Sequence, residues 1–504
     1  MENAGIPREE WRPAALPQKE RVQAYEKLAA FLALVIGYLF VSFILFHSSG
    51  ISVTLFTLIF AGAALFFFKK SGKPLSCRAC RWLCIVLALS LYFPLSDNRS
   101  LKPLALLALI FAAAYWLVLL GGHELEPSPA EFFPADMLNA LVLYPFRNFL
   151  ITLYCIFLPL EKRDDGKSRK TALYILLGLI AALPAAALII SNLRGDEMFD
   201  ALWTHLFDFV HIELSDEVFW KIFFSLPVSF YLFGLAYASA RDRKTDKLSR
   251  ASLQTLGIRM RIAPSASIYA AMIPILVIYI LYFVSQLGYF LSAFSSILPT
   301  GLTYADYARR GFFELCCVCL INLCIVTLAN RVAHADAAAA ARRLCLALNV
   351  FTLLLITTAI SKMALYVKIY GLTPLRLYTS YFMLFLFACF TLISIWLISG
   401  KPKPMRVIVK LGMVMFALLL LAGPNRIIAN YNVSRYLNGS LSTISPQYIA
   451  SLGAESRGAL KRLAAEDENP ASRDQVNEAF KELAFNGEWQ AWNLPAALAT
   501  REYK

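Results

Sequence analysis

Long apolar runs, nearly empty of ionisable residues, alternate with short polar connections along almost the whole chain. About eleven of them approach the ~20 residues that a helix needs to cross a bilayer. They cover residues 28–46, 51–68, 82–95, 103–120, 172–190, 219–240, 267–291, 311–328, 344–361, 378–399 and 407–421. Hydrocarbon offers no water to unpaired backbone groups, so each run must satisfy its own hydrogen bonds and is expected to be a helix. Runs 82–95 and 407–421 are short and are expected to borrow flanking residues. Pro184 and Pro274 fall inside runs and are expected to bend them. The pattern predicts an all-α, polytopic helical integral membrane protein.

Residues 132–160 interrupt the alternation. Pro134, Asp136, Asn139, Pro145, Arg147 and Asn148 precede a short apolar piece at 149–160. Counting this stretch as a span would turn over everything that follows it. Basic residues decide the matter, because Lys and Arg accumulate in cytoplasmic loops. With the N-terminus cytoplasmic and 132–160 interfacial or re-entrant, the inner loops hold about thirty Lys and Arg and the outer loops about eight. The inner clusters include Lys69, Lys70, Lys73, Arg78 and Arg81, and later Arg241, Arg243, Lys244, Lys247 and Arg250. The acidic loop 191–218, with Arg194 as its one basic residue, falls outside. The expected organisation is a cytoplasmic tail at 1–27, a transmembrane domain at 28–423 and a small helical extracytoplasmic domain at 424–504. In that last part Ser445-Pro446 starts a helix, a polar stretch at 466–471 separates two more, and Trp489, Trp492 and Leu494 offer apolar anchors. The implied location is a membrane crossed many times, with the N-terminus on its cytoplasmic side.

The chain is 59% hydrophobic and only 16% charged, below the roughly 25% charged residues usual in soluble proteins. Its net charge of +14 sits in short membrane loops, where it sets orientation and meets anionic headgroups, so no nucleic-acid partner is expected. The N-terminal run has no small-residue cleavage pattern after it and reads as an uncleaved anchor. Cys77, Cys80 and Cys84 supply half of a zinc spacing, but a closed site needs four ligands and the five histidines are scattered. The cysteines from Cys316 to Cys324 lie inside an apolar run and read as helix-packing residues. No metal site and no cofactor are expected. Phosphate-loop, nucleophile-elbow, zinc-protease and dinucleotide motifs are absent, which removes the common soluble-enzyme classes.

Two polar constellations stand out at the ends of runs. In the first, Asp306, Arg310 and Glu314 recur at spacing four, so a helix carries them as one ladder, with Tyr304 and Tyr307 beside it. It reads either as an interfacial anchor of snorkelling arginines and tyrosines or as the polar lining of an outward-facing pocket. In the second, Lys362, Tyr366 and Tyr370 share one helical face, Gly371 suits a helix end, and Thr373 caps a helix that Pro374 and Arg376 begin. It reads either as a basic turn between spans or, together with the first, as a site for an anionic ligand. The candidate ligand-binding residues are therefore Tyr304, Asp306, Tyr307, Arg310, Glu314, Lys362, Tyr366, Tyr370 and Arg376.

The segments TYADYARRGFFEL, SKMALYVKIYGLTPLRLYTSYFM, NRIIANYNVSRYLNG and EWQAWNL resemble the bacterial domain-of-unknown-function 4153/4173 group, most clearly from Thr303 onward. Where that pattern carries Arg, this chain has Lys362, a change that matters wherever a bidentate fork is needed. The resemblance implies a polytopic protein of a bacterial inner membrane and carries no established activity. The residues themselves favour a non-catalytic envelope module that binds a lipid, an anionic ligand or a partner protein at its outer face, with membrane lipids as its surroundings. A transporter of a lipidic or neutral substrate is the alternative, followed by a transferase acting on lipid-linked substrates with Asp306 or Glu314 as base.

Overall fold

Helix boundaries follow local capping chemistry. Ser76 accepts a hydrogen bond from the Ala79 amide and starts a helix at Cys77, so the short third run gains the CRACR segment as its first turn. Thr373 accepts from the Arg376 amide ahead of Pro374, and Gly371 (φ +78°) ends the preceding helix, as the sequence predicts. The computed structural model describes residues 22–47, 49–126, 131–157, 193, 198, 216–243, 245, 248, 250–285, 304–401, 403–467, 470–483 and 487–503, with backbone alone at 216, 304–313, 470–473, 482 and 502–503. The expected run 172–190, its Pro184 and most of loop 191–218 lie outside these residues.

Within the described residues the protein is all-α. The membrane helices are α1 (Ala24–Leu45, with a π turn at Val41–Leu45), α2 (Ile51–Lys70), α3 (Cys77–Leu95) and α4 (Lys102–Gly121). Then come α5 (Phe133–Arg147), α6 (Ile151–Phe157), α7 (Asp216–Arg241), α8 (Arg250–Arg259), α9 (Ser265–Ser285), α10 (Tyr304–Val332), α11 (Ala338–Tyr370), α12 (Pro374–Ser399) and α13 (Pro404–Leu421). Ten described helices are long and apolar enough to cross a membrane, or eleven if α5 and α6 form one broken span. Pro94, Pro227 and Pro274 lie inside α3, α7 and α9.

The chain divides into two compact units. In the first, Met1–Tyr38 with Phe149–Gly234, small residues bring helices together: a Cβ on Gly37 would collide with the Ser229 hydroxyl and the Ser225 carbonyl. Phe149 meets Phe230 edge to face at 5.5 Å. The second unit, Leu39–Asn148 with Leu235–Lys504, contains α4 as a buried helix, with Tyr115, Trp116, Leu117 and Val118 almost wholly covered. Farther along, α9 to α12 pack around Met272, Val326, Leu348 and Ile393, and amide side chains stitch them. Asn349 of α11 donates to the Phe390 carbonyl of α12 at 2.7 Å, and Asn322 of α10 donates to Thr352 of α11 at 2.8 Å. Each such bond supplies a partner that hydrocarbon cannot.

Loop contacts in the second unit sort into two ends. At one end Lys73 donates to Asp242 (2.7 Å) and to the Gly121 carbonyl (3.1 Å), while His123 lies 2.8 Å from the same Asp242 oxygen. Arg78 pairs with Glu124, and Glu131 with Arg331 and Lys403. Helix α5 keeps company with this end: Phe133 meets Tyr115, Asp136 accepts from the Leu125 amide, Tyr144 meets His123, and Asn148 donates to the Arg243 carbonyl. At the other end, loops 47–50, 96–101 and 371–373 receive the residues after Gly423. Those residues form α14 (Pro424–Leu437), α15 (Pro446–Ser451, capped by Ser445), α16 (Arg457–Glu466), α17 (Pro470–Glu482) and α18 (Leu494–Tyr503) around a core that includes Ile428, Val433, Ile449, Leu460 and Leu463.

Glycines mark the docking points. A Cβ on Gly50 would collide with the Ala491 backbone, one on Gly371 would sit 2.7 Å from Asn432 Oδ1, and one on Gly453 2.8 Å from Asp97 Oδ2. Trp489 packs on Phe43 at 5.5 Å, and the Ile51 amide donates to the Trp492 carbonyl at 3.0 Å. Asn432 clamps Leu372 in both directions, accepting from its amide (2.8 Å) and donating to its carbonyl (2.7 Å). Gly371 and Gly453 also combine positive φ with ψ near 180°, a region open essentially to glycine alone. Gly371→Ala and Gly453→Ala are each expected to cost about 1–3 kcal/mol. The loss should appear as a lower Tm in detergent and faster proteolysis of the tail, whereas Gly439→Ala, at φ +69° with open space around it, should lose less.

Candidate functional site

The second sequence constellation comes together as a helix cap. Arg376 donates from Nη1 to the carbonyls of Tyr370 (3.0 Å) and Gly371 (2.6 Å), satisfying the exposed C-terminus of α11. Its guanidinium stacks 3.9 Å above the Tyr366 ring, and Tyr366 meets Tyr370 edge to face at 5.3 Å. The turn that follows is the socket for the tail, since Arg435 donates to the Val367 carbonyl and Tyr448 to the Leu372 carbonyl. Lys362 lies within electrostatic reach of Glu314, which links α11 to α10. Tyr304, Asp306, Tyr307 and Arg310 lie on the first turns of α10, and their side chains fall outside the described residues.

A cleft of about 880 Å³ opens at the tail end, between α3, α13 and the tail. One part of its lining is apolar: Ile85 and Leu89 from α3, Leu420 and Leu421 from α13, and Leu498 from α18. The other part is polar, with Tyr92, Ser96, Arg426, Asn430, Glu455 and Arg457. Arg426 and Asn430 stand four apart on α14 and so share a face. Arg426 is exposed and makes no hydrogen bond or ion pair among the described residues. Arg457 opens α16 and donates from Nη1 to the Pro495 carbonyl at 3.4 Å.

Glu455 is the unusual member. Its Oε1 accepts from the Ser96 hydroxyl (2.5 Å) and the Asp97 amide (3.2 Å), while Oε2 is buried with no hydrogen-bond partner among the described residues. The loop beneath is held by Asp97, whose carboxylate accepts from the Ala454 amide (3.0 Å) and from Asn493 (3.1 Å), and by Asn98, which donates to the Tyr378 hydroxyl (2.9 Å). Burial pushes the Glu455 carboxyl above its ordinary range, against the pull of the Ser96 and Asp97 donors; the Asp97 charge adds to the rise and Lys102 opposes it. An anion held this way costs stability unless something pairs with it.

Sequence reasoning missed this cleft because its polar residues come from three remote segments. The available signals were the polar SDN loop between two spans, the Arg426/Asn430 pair on α14, and Glu455 and Arg457 between two glycines in GAESRG. No group of three or more potential metal ligands occurs among the described residues.

Its many apolar helices make this a multi-pass helical membrane protein. The chain belongs to the DUF4153 family, a domain of unknown function, whose family model matches residues 83–463. Most of the cleft lies in the matched part, while Leu494, Pro495 and Leu498 follow it. No curated protein and no solved structure matches the chain.

The rise in the Glu455 pKa has a definite sign. The folded state prefers the protonated acid, so the penalty is absent below the ordinary value of 4.5, grows as pH rises above it and is complete above the folded pKa. Glu455→Gln keeps an acceptor for Ser96 and Asp97 and removes the charge. Its Tm at pH 7.5 should equal or exceed that of the native protein, with the difference shrinking toward pH 4.5. Glu455→Ala strands both donors and should cost about 1–3 kcal/mol. Thermal unfolding in detergent across that pH range measures both.

Proposed function

We propose that the protein binds an amphiphile with an anionic head in the tail-end cleft, as a non-catalytic membrane module of the cell envelope. The observation that carries this reading is the pairing of Arg426, which has no partner among the described residues, and nearby Arg457 with a wall of leucine and isoleucine from membrane helices. A phosphate head gains charge-assisted hydrogen bonds from guanidinium groups, and acyl chains gain the apolar wall. Leu91, Leu95, Leu418 and Leu421 are exposed beside or within the cleft, which supports an approach from the lipid phase.

The cleft belongs to the outer leaflet in this reading. Lys69, Lys70, Lys73, Arg78 and Arg81 gather at the opposite end with Arg241, Arg243, Arg331 and Lys403, which the positive-inside tendency assigns to the cytoplasm. The N-terminus is then cytoplasmic and residues 424–504 extracytoplasmic. Helix α5, whose contacts stay with the basic end, serves as an interfacial or re-entrant element there.

Two experiments test the proposal. Phospholipid retained by the purified protein, counted by native mass spectrometry, should fall at least about threefold in an Arg426→Ala/Arg457→Ala double variant, a modest demand for two lost charge-assisted bonds. It should fall similarly in Ala88→Trp, which fills the cleft from an exposed position on α3. Unchanged lipid in both variants would remove the proposed site. A cysteine at exposed Asp474 should react with a membrane-impermeant maleimide on intact cells. Reaction only after lysis would reverse the orientation.

A further inference from the structure

The cleft joins two kinds of unmatched charge. Arg426 is a cation without a partner among the described residues, and Glu455 Oε2 is a buried acceptor without a donor. They are close in the fold but not paired. A Cβ placed on Gly423 would stand 3.8 Å from Arg426 Cβ and 3.9 Å from Glu455 Oε2, so both flank one glycine at the start of the tail. No ion pair joins them: Arg426 is exposed on α14, while the carboxylate is fixed from below by Ser96 and Asp97.

A simple anion would satisfy Arg426 and Arg457 but would add repulsion at Glu455. A neutral polyol head would give Glu455 a hydroxyl donor and leave its charge uncompensated. A head carrying a phosphate and, a few bonds away, a primary ammonium meets both demands. Its phosphate suits the two guanidinium groups, and its ammonium brings N–H donors and the opposite charge to an acceptor that has no donor among the described residues. Glycine at 423 keeps open the space between the two poles that a side chain would occupy.

We infer that the cleft selects an aminophospholipid head of the ethanolamine type, with phosphate at Arg426 and Arg457 and primary ammonium at Glu455. This rests on the reading of the cleft as an amphiphile site and names which head it takes. The carboxylate then has a reason to remain in a buried position where its charge is costly.

The test uses the full-length protein, delipidated and offered equimolar phosphatidylethanolamine, phosphatidylglycerol and phosphatidylcholine with identical acyl chains, with bound lipid read by native mass spectrometry. The native protein should retain phosphatidylethanolamine about tenfold over the other two, the scale of one charge-assisted hydrogen bond. Phosphatidylcholine carries the cation without N–H donors and should behave like phosphatidylglycerol. Glu455→Gln should erase the preference, and its melting temperature reports that the tail is still docked. Arg426→Ala should lower retention of all three lipids in parallel. Equal retention of the three lipids by the native protein, with loss in Arg426→Ala, would overturn the ethanolamine assignment and leave the amphiphile site standing. Retention indifferent to Arg426→Ala and to the Arg426/Arg457 double variant would overturn both.

Discussion

Asp97 is the point on which the rest of the tail end depends. One carboxylate oxygen receives the Ala454 amide at the start of the turn into α16, and the other receives Asn493 just before α18. Two distant parts of the tail are thereby fixed to one short loop between α3 and α4. Gly453 allows that approach because a side chain there would meet the same carboxylate. With the turn held, Glu455 is set over Ser96 and Arg457 faces the same cleft. The polar roof is thus determined by hydrogen bonds made outside it, and its apolar wall by helices long enough to span a membrane.

The membrane architecture was largely legible in the sequence, because burial in hydrocarbon imposes a strong rule on every residue of a span. The runs at 28–46, 51–68 and 103–120 reappear as α1, α2 and α4 with their ends moved by a few residues. Shifts are larger where a polar turn continues a helix: α11 runs on from the expected end at 361 through Lys362 and Tyr366 to Tyr370, stopping at the glycine that can adopt positive φ. The third run was short because Ser76, an N-cap five residues upstream of Arg81, starts the helix in polar sequence that hydropathy ignores.

The candidate site was less legible, and for a physical reason. Spacing along a helix reveals partners three or four residues apart, which is how Lys362, Tyr366 and Tyr370 came to be grouped; the structure brings the two tyrosines together with Arg376 of the next helix, around the end of α11. The cleft instead depends on partners hundreds of residues apart, such as Ser96 with Glu455 and Asp97 with Asn493. No local period encodes such pairs. What the sequence does show is chemical economy: a tail whose charges nearly balance, with Arg426, Glu455 and Arg457 beside glycines at its bends.

The order in which the cleft's walls appear along the chain also matters. Ile85 and Leu89 of the α3 wall are made early, Leu420 and Leu421 come with the last described membrane helix, and Leu498 follows in α18. A ribosome has therefore inserted every one of those membrane helices before the pocket can close. Until then α3 and α13 present their leucines to lipid alone, and the Ser96–Asp97–Asn98 loop waits with its donors and acceptors in water. The site therefore closes only after those membrane helices have been made, and a chain lacking α18 would reach the membrane with Leu498 missing from the apolar wall.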